Sequence, residues 1–238
     1  MSGGNDNASG RLSVSYQRYG GWYDGNGDEV IIDNTQTGLQ YSDRIDVMGT
    51  GTINIDDHQQ LQLTTQYYKS ESDGKHGLFL GENFAAVTGD AKAYNKDNLN
   101  SDRIPGTERH LINLQYSNTD FWGQDLVAQI YYRDESLTYY PFPTLSKGAV
   151  TSIGASQQKT DFYGGKLTLN SKPMDDLTLT WGVDADHETF DANQQFFDLS
   201  KAAASGGMEL DNAYNVGRYP GYSITNIAPF LQASYDID

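Results

Sequence analysis

The chain has 238 residues and a formal net charge of -16, from 32 Asp and Glu against 16 Lys and Arg. That balance excludes a nucleic-acid surface, because neutralising phosphates takes clustered cations, and zero cysteine excludes a disulfide scaffold and a cysteine-ligated zinc or iron-sulfur site. No run of about 18 apolar residues occurs, which excludes a membrane-spanning helix but not a strand barrel, half of whose residues are polar.

The start, MSGGNDNASG, has neither a basic nor an apolar signal region, so export information has been removed or the chain is a piece of something longer. Seventeen tyrosines and 25 glycines favour strands and turns over helices. Side chains of a strand alternate faces, so sorting by parity locates the strands.

Eight segments pass that test. Arg11 to Tyr19 sets Leu12, Val14 and Tyr16 against Ser13, Ser15 and Gln17. Leu39 to Ile55 sets Ile45, Val47, Gly49, Gly51 and Ile53 against Arg44, Asp46, Thr50 and Thr52. Gln60 to Lys69 and Arg109 to Tyr116 follow, with Leu61, Leu63 and Tyr67, then Ile112, Leu114 and Tyr116, on the apolar side. Asp125 to Arg133 carries Leu126, Ala128, Ile130 and Tyr132 against Gln129, Tyr131 and Arg133, and Thr160 to Leu169 carries Tyr163, Leu167 and Leu169 against Lys166 and Thr168. Asp176 to Asp186, DLTLTWGVDAD, sets Leu177, Leu179, Trp181, Val183 and Ala185 against the threonines and aspartates. Ile227 to Ile237 is last, and its Pro229 removes a ladder donor and belongs at a bulge or an edge.

The middle of the apolar parity carries no charge, while the other parity holds Arg44, Asp46, Lys166, Asp184 and Asp186. Lipid on the apolar side demands this, and so does a soluble core. The connections discriminate better. Tight turns fall near 56–59, 118–123 and 171–175, and long insertions near 20–38, 70–107, 134–159 and 188–223. Long excursions are uncommon in compact soluble domains, whereas short turns on one rim and long loops on the other mark an outer-membrane barrel. Tyr116, Phe121, Trp122 and Tyr235 near the short-turn rim, and Tyr67 and Tyr132 near the other, suit two interfacial girdles. A short helix is expected over 198–207, capped by Asp198 and ended by glycine.

Few residues carry catalytic or metal chemistry. Asp24-Gly-Asn26-Gly-Asp28 begins like a calcium loop, but Glu29 stands at the sixth position and Thr35 at the twelfth, so it is read as a glycine-rich turn. Gly49-Thr-Gly51 lacks the rest of a dinucleotide motif and flattens the apolar face instead. Asp184, Asp186 and Glu188 share one parity and solvate the polar side, with a paired-carboxylate or cation-clamp role as the sharper alternative. His58, His76, His110 and His187 lack metal-ligand spacing, and no nucleophile has a base nearby, so no enzyme is expected.

The segments NLNSDRIPGTERHLINLQYS (98–117), YYRDESLTYYPFPT (131–144), LTLNSKPMDDLTLTWGVDADHE (167–188) and GRYPGYSIT (217–225), with SGGNDNASGR and NTQTGLQYSDR near the beginning, resemble the barrel of the TonB-dependent siderophore receptors. The resemblance implies an all-β, antiparallel, up-and-down transmembrane β-barrel in the bacterial outer membrane, with short periplasmic turns and long extracellular loops. That family's barrel has about 22 strands around a separate plug domain, and this chain, read as one partial barrel domain over 1–238, supplies about eight and no plug. Implied partners are a ferric siderophore of hydroxamate and citrate type, outer-membrane lipid and lipopolysaccharide, and the TonB complex acting through the plug region. Iron arrives already chelated, so no cofactor is required.

Recognition then needs cationic donors for carboxylates and aromatic faces for a carbon framework. Candidates on the long loops and upper strand ends are Arg103, Arg109, Arg133, Tyr139, Tyr140, Phe142, Arg218 and Tyr219. Against each arginine stands an ion pair with Asp102, Glu108 or Asp134, and against the tyrosine-proline run a stiff loop packed on itself. A general porin and a soluble glycan-binding β-sandwich remain the alternative readings.

Overall fold

The computed structural model describes residues 1–33, 38 and 40–237. The start of the expected second strand at Leu39, the twelfth position of the calcium-like loop at Thr35 and most of the NTQTGL run lie outside the described residues. In chain order the elements are β1 (Ser2–Gly4), β2 (Ala8–Tyr19), β3 (Ser42–Asn54), β4 (Gln59–Ser72), β5 (His76–Phe79), a 3-10 turn (Glu82–Phe84), α1 (Ala85–Thr88), β6 (Tyr94–Asp97) and β7 (Asn100–Ser101). Then come β8 (Gly106–Asn118), β9 (Asp125–Thr138), β10 (Phe142–Ser146), β11 (Ala149–Met174), β12 (Leu177–Phe197), α2 (Leu199–Ala204), β13 (Glu209–Leu210) and β14 (Asn212–Tyr235).

One ten-stranded sheet runs β1-β2-β3-β4-β8-β9-β11-β12-β14, with β10 added beside β11. Every pairing in it is antiparallel between strands adjacent along the path, so the wall is an up-and-down arc containing all eight expected long strands. Among the described residues it does not close, and β14 is an edge strand. Pro229 therefore sits on an edge strand, opposite Val183, where a missing amide is tolerated.

The ladder brings the apolar parities into one surface. Leu63, Leu114, Ile130, Gly165, Ala185 and Ile227 are aligned across β4, β8, β9, β11, β12 and β14. One residue away on each strand lies the row Gln62, Gln115, Gln129, Lys166, Asp184 and Ala228. None of the described residues covers the apolar surface: Ile130, in its middle, is 61% exposed, and Ile227 and Leu231 on the edge strand are each 72% exposed. Leu126 and Leu169, paired across β9 and β11, are the buried exceptions. A soluble sandwich would have to cover that face with a second sheet. Here it stands open, as lipid requires.

The tight turns between the long strands lie at one end, at 5–7, 55–58, 119–124 and 175–176, and the long excursions at the other, where the short β10–β11 turn at 147–148 also lies. At the tight end the Asp56 carboxylate accepts from the amides of His58 at 2.9 Å and Gln59 at 2.8 Å, and Thr119 N donates to His58 O at 3.0 Å, linking two turns. Phe121 and Trp122 lie there with ring centroids 4.4 Å apart, tilted by 36°, while Tyr132 and Tyr163 pair directly near the other end, giving the two aromatic tiers.

Two of the expected long loops are largely strand. Residues 149–159 belong to β11, and 188–197 and 212–223 belong to β12 and β14. β11 has 26 residues, against roughly 9–11 needed to cross the hydrocarbon, so the wall stands well above the membrane.

Above the lipid band, the outward parity meets protein. Ile153 and Ala155 have the parity of Leu167 and Leu169 in β11, and Phe197 has that of Trp181 in β12. They form a dry core with Leu80, Phe84, Ala202 and Leu210 from two long connections. The same face thus meets lipid below and a loop cap above.

The cap is held by the parallel pairing of β13 with β7, by Asn100 Nδ2 donating to Glu209 at 2.8 Å and by Asn212 N donating to Asp102 at 2.7 Å. Helix α2 begins as expected, with the Asp198 carboxylate accepting from the Ser200 and Lys201 amides. The Ser200 hydroxyl, then those amides, hold the Asp198 carboxyl below its ordinary 3.8. A lowered folded value means that the cap's contribution is present above the ordinary value and lost as pH falls through the lowered one. Hydrogen exchange at the Ser200 and Lys201 amides should therefore stay protected at neutral pH and lose protection only below about pH 4. Protection unchanged to pH 2 would show that Asp198 is not the cap.

Candidate ligand-binding site

Where β11, β12 and β14 rise above the membrane, their luminal parity forms the floor of a recess of 470 Å³. The parity of Lys166 continues to Gln158, Ser156 and Gly154, and that of Asp184 continues to Gln194; all four line the recess. Its wall is the connection after β9, anchored by Tyr139 N donating to Ser156 O at 2.9 Å. Next, Phe142 pairs with Gly154. A Cβ at Gly154 would lie 2.8 Å from both Gln194 Nε2 and Gln195 O, so only glycine leaves the strands this close.

Tyr139, Tyr140, Phe142, Arg218 and Tyr219, spread over 80 positions of sequence, come together here. The pairing of β12 with β14 passes from Ala192–Tyr219 to Asn193–Gly217, leaving Arg218 as an extra, bulged residue. Bulges re-aim side chains. This one sets the Arg218 guanidinium 5.3 Å from the Tyr219 ring centroid, with Nη1 donating to Gln194 Oε1. Among the described lining residues Arg218 is the one charged group, which makes the recess selective for an anion despite the acidic chain. Burial pushes the Tyr140 phenol up, so it stays neutral, and its Oη donates to Gly38 O at 3.5 Å.

The other three arginines lie elsewhere. Arg103 reaches from the loop cap to Ala155 O at 3.0 Å and Asn193 Oδ1 at 2.9 Å, and tethers the cap to the wall. Arg103→Ala removes a charged donor from two acceptors. It should lower cap stability by about 1–2 kcal/mol, read as faster proteolysis within 73–105 with the wall's β-signal unchanged. Arg109 and Arg133 are on the luminal wall below the recess, where Arg109 Nη1 is 3.7 Å from Glu135. Among the described residues, none of these arginines pairs with Asp102, Glu108 or Asp134, the acids weighed against them.

The luminal carboxylates each have a separate partner. Tyr131 Oη donates to Asp184 at 3.3 Å, Asn226 Nδ2 to Asp186 at 2.9 Å and Tyr222 Oη to Glu188 at 2.7 Å. They are dispersed over the wall and form no paired-acid site. The calcium-like loop is a turn in which Asp24 accepts from the amides of Asn26 at 2.8 Å and Asp28 at 3.0 Å.

No protein-family model matches the chain. Along its whole length it is 63% identical, over 239 residues, to a ferric aerobactin receptor of Klebsiella pneumoniae, covering 33% of that protein. It is 36% identical over 97% of its length to a rhizobactin receptor of Rhizobium meliloti (strain 1021), covering 31% of that one. The chain thus spans about a third of the length of the curated relatives it matches. In fold it is similar to the copper transporter OprC, with a TM-score of 0.62 at 16% identity over 98% of this chain and 32% of that one. An up-and-down wall with an open apolar face and one-sided loops, carrying this sequence from end to end, is thus similar to about a third of a ferric aerobactin receptor and of a rhizobactin receptor.

Proposed function

We propose that this chain is part of one barrel domain of a receptor that binds a ferric siderophore and imports it with energy from the TonB system. The siderophore is of the hydroxamate and citrate type that the family resemblance implies, and a relative 63% identical is a ferric aerobactin receptor. The observation that carries the reading is the recess, with one cation fixed at a bulge among four aromatic rings on the luminal side of the loop end. Arg218 takes a chelate carboxylate, Tyr139, Tyr140, Phe142 and Tyr219 pack against its carbon framework, and Gln158 and Gln194 supply polar contacts at the floor. Because the metal arrives wrapped in its chelator, the protein supplies no ligands to iron. TonB coupling, lipopolysaccharide contacts and the plug belong to the rest of the receptor in this reading.

The test is ferric aerobactin binding to the full-length receptor, measured by fluorescence quenching. Arg218→Ala should weaken it by about 10- to 100-fold, corresponding to the roughly 1.5–3 kcal/mol of a charge-assisted bond, and should affect a chelate without free carboxylates far less. Equal loss for both chelates, or none for either, would remove Arg218 from the site. A barrel without chelate selectivity, as in a general porin, would quench equally with unrelated chelates.

A further inference from the structure

Below the recess, the luminal wall carries a second set of cations. Arg44 on β3 faces Ser70 on β4, so Tyr68 is its diagonal neighbour; Tyr68 in turn faces Arg109 on β8. Leu111 on β8 faces Arg133 on β9, which makes Arg109 and Arg133 diagonal neighbours, and Arg133 faces Phe162 on β11. Diagonal cross-strand residues are roughly 7–8 Å apart, within reach of long side chains. The result is a zigzag of three guanidiniums and two rings across five adjacent strands.

Stacking fixes the guanidiniums. Arg44 and Arg109 lie 5.1 and 5.4 Å from the Tyr68 ring centroid, and Arg133 lies 5.3 Å from that of Phe162. Their charge is only partly answered, since the one ion pair they make among the described residues is between Arg109 and Glu135, at the long distance of 3.7 Å. The Nε atoms of both Arg109 and Arg133 are buried and have no acceptor. An N–H shut off from water without an acceptor costs free energy, and two such donors lie on neighbouring arginines.

We propose that Arg44, Arg109 and Arg133 form a second anion subsite, separate from the recess, that accepts a carboxylate-bearing ligand on the luminal wall. A carboxylate arriving from the lumen engages the two Nη groups of one guanidinium end-on, a bidentate pair that arginine geometry favours, while the buried Nε–H beside it reports the change in charge. The stacked rings hold the forks in place, so little side-chain freedom is lost on binding. The subsite lies on the luminal parity below the recess, so an anionic ligand released from Arg218 meets a second cationic station further along the wall.

The direct measurement is the NMR signal of the arginine Nε–H groups in the full-length receptor in detergent, titrated with citrate and, as a neutral control, with trimethyl citrate. The Arg109 and Arg133 signals should shift saturably with citrate and not with the ester. The shifts should persist in Arg218→Ala, which separates this subsite from the recess. Arg133→Lys keeps the charge but removes the fork, and should weaken the citrate response at Arg109 at least tenfold while the resonances elsewhere stay in place. Unmoved Arg109 and Arg133 signals, equal shifts with the ester, or a response abolished by Arg218→Ala would each overturn the proposal, whatever the outcome of the ferric-chelate assay.

Discussion

Ile130→Arg should cost about 2–4 kcal/mol of folding stability in lipid vesicles, and Gln129→Arg, one residue away, close to nothing. Ile130 lies on the open apolar row between Leu114 and Gly165. An arginine there must leave a guanidinium in hydrocarbon or bend the long side chain toward an interface. Gln129 lies between Gln115 and Lys166 on the wet side and donates to Asn113 Oδ1 at 3.0 Å, so its replacement loses one neutral hydrogen bond in a polar setting. The comparison is read from urea unfolding of the vesicle-inserted receptor by tryptophan emission. Equal costs at the two positions would mean that both faces meet the same medium.

The second large effect falls on the loop cap. Phe84 is 2% exposed and packs in a core drawn from two connections and from the outward parity of β11 and β12. Truncating a buried phenylalanine removes its transfer free energy and leaves a cavity, about 3–5 kcal/mol together. The cap's core is small, so Phe84→Ala should release it. Amides of α2 and of 76–101 should lose hydrogen-exchange protection while those of the strands in the lipid band keep theirs. If wall and cap lost protection in step, they would be one cooperative unit.

The lower half of the wall was legible because lipid imposes a strict pattern. In Leu177, Leu179, Trp181, Val183 and Ala185, every second position must be apolar, and the sequence shows it. Higher up, the constraint disappears while the hydrogen-bonded ladder continues. Residues 188–197, ETFDANQQFF, and 149–159, AVTSIGASQQK, have water or loop side chains on both faces and no alternation to detect, so these strands have the sequence pattern of loops. Carrying the parity of Lys166 and Asp184 upward without regard to hydropathy reaches Gln158, Ser156 and Gln194, the floor of the recess that residue type alone did not reveal.

Local chemistry was readable where it was self-contained. Asp198 and the glycines at 206 and 207, both with positive φ, announced α2. Strand β10 was hidden by Pro141 and Pro143, which speak against a strand, although its place at the margin of the sheet tolerates them. The bulge that aims Arg218 leaves no mark in composition. The loop core joins Phe84, Ala202 and Leu210 across more than 100 positions with no period to follow. Arg218, Tyr219 and the residues Tyr139, Tyr140 and Phe142, chosen by residue type, lie together at the recess. Choosing Arg103 by residue type led instead to a tether, whose partners are a carbonyl and an amide that sequence cannot place.

Whether hydrocarbon meets Leu179, Trp181 and their counterparts is decided most directly by single cysteines placed in turn from 177 to 186. The chain has none of its own. With a spin label on each in bilayer-embedded receptor, oxygen accessibility should peak at 177, 179, 181, 183 and 185, and that of a water-soluble nickel complex at the positions between. A flat profile, or odd positions shielded from both reagents, would mean that protein covers this face, and the membrane assignment would fall with it.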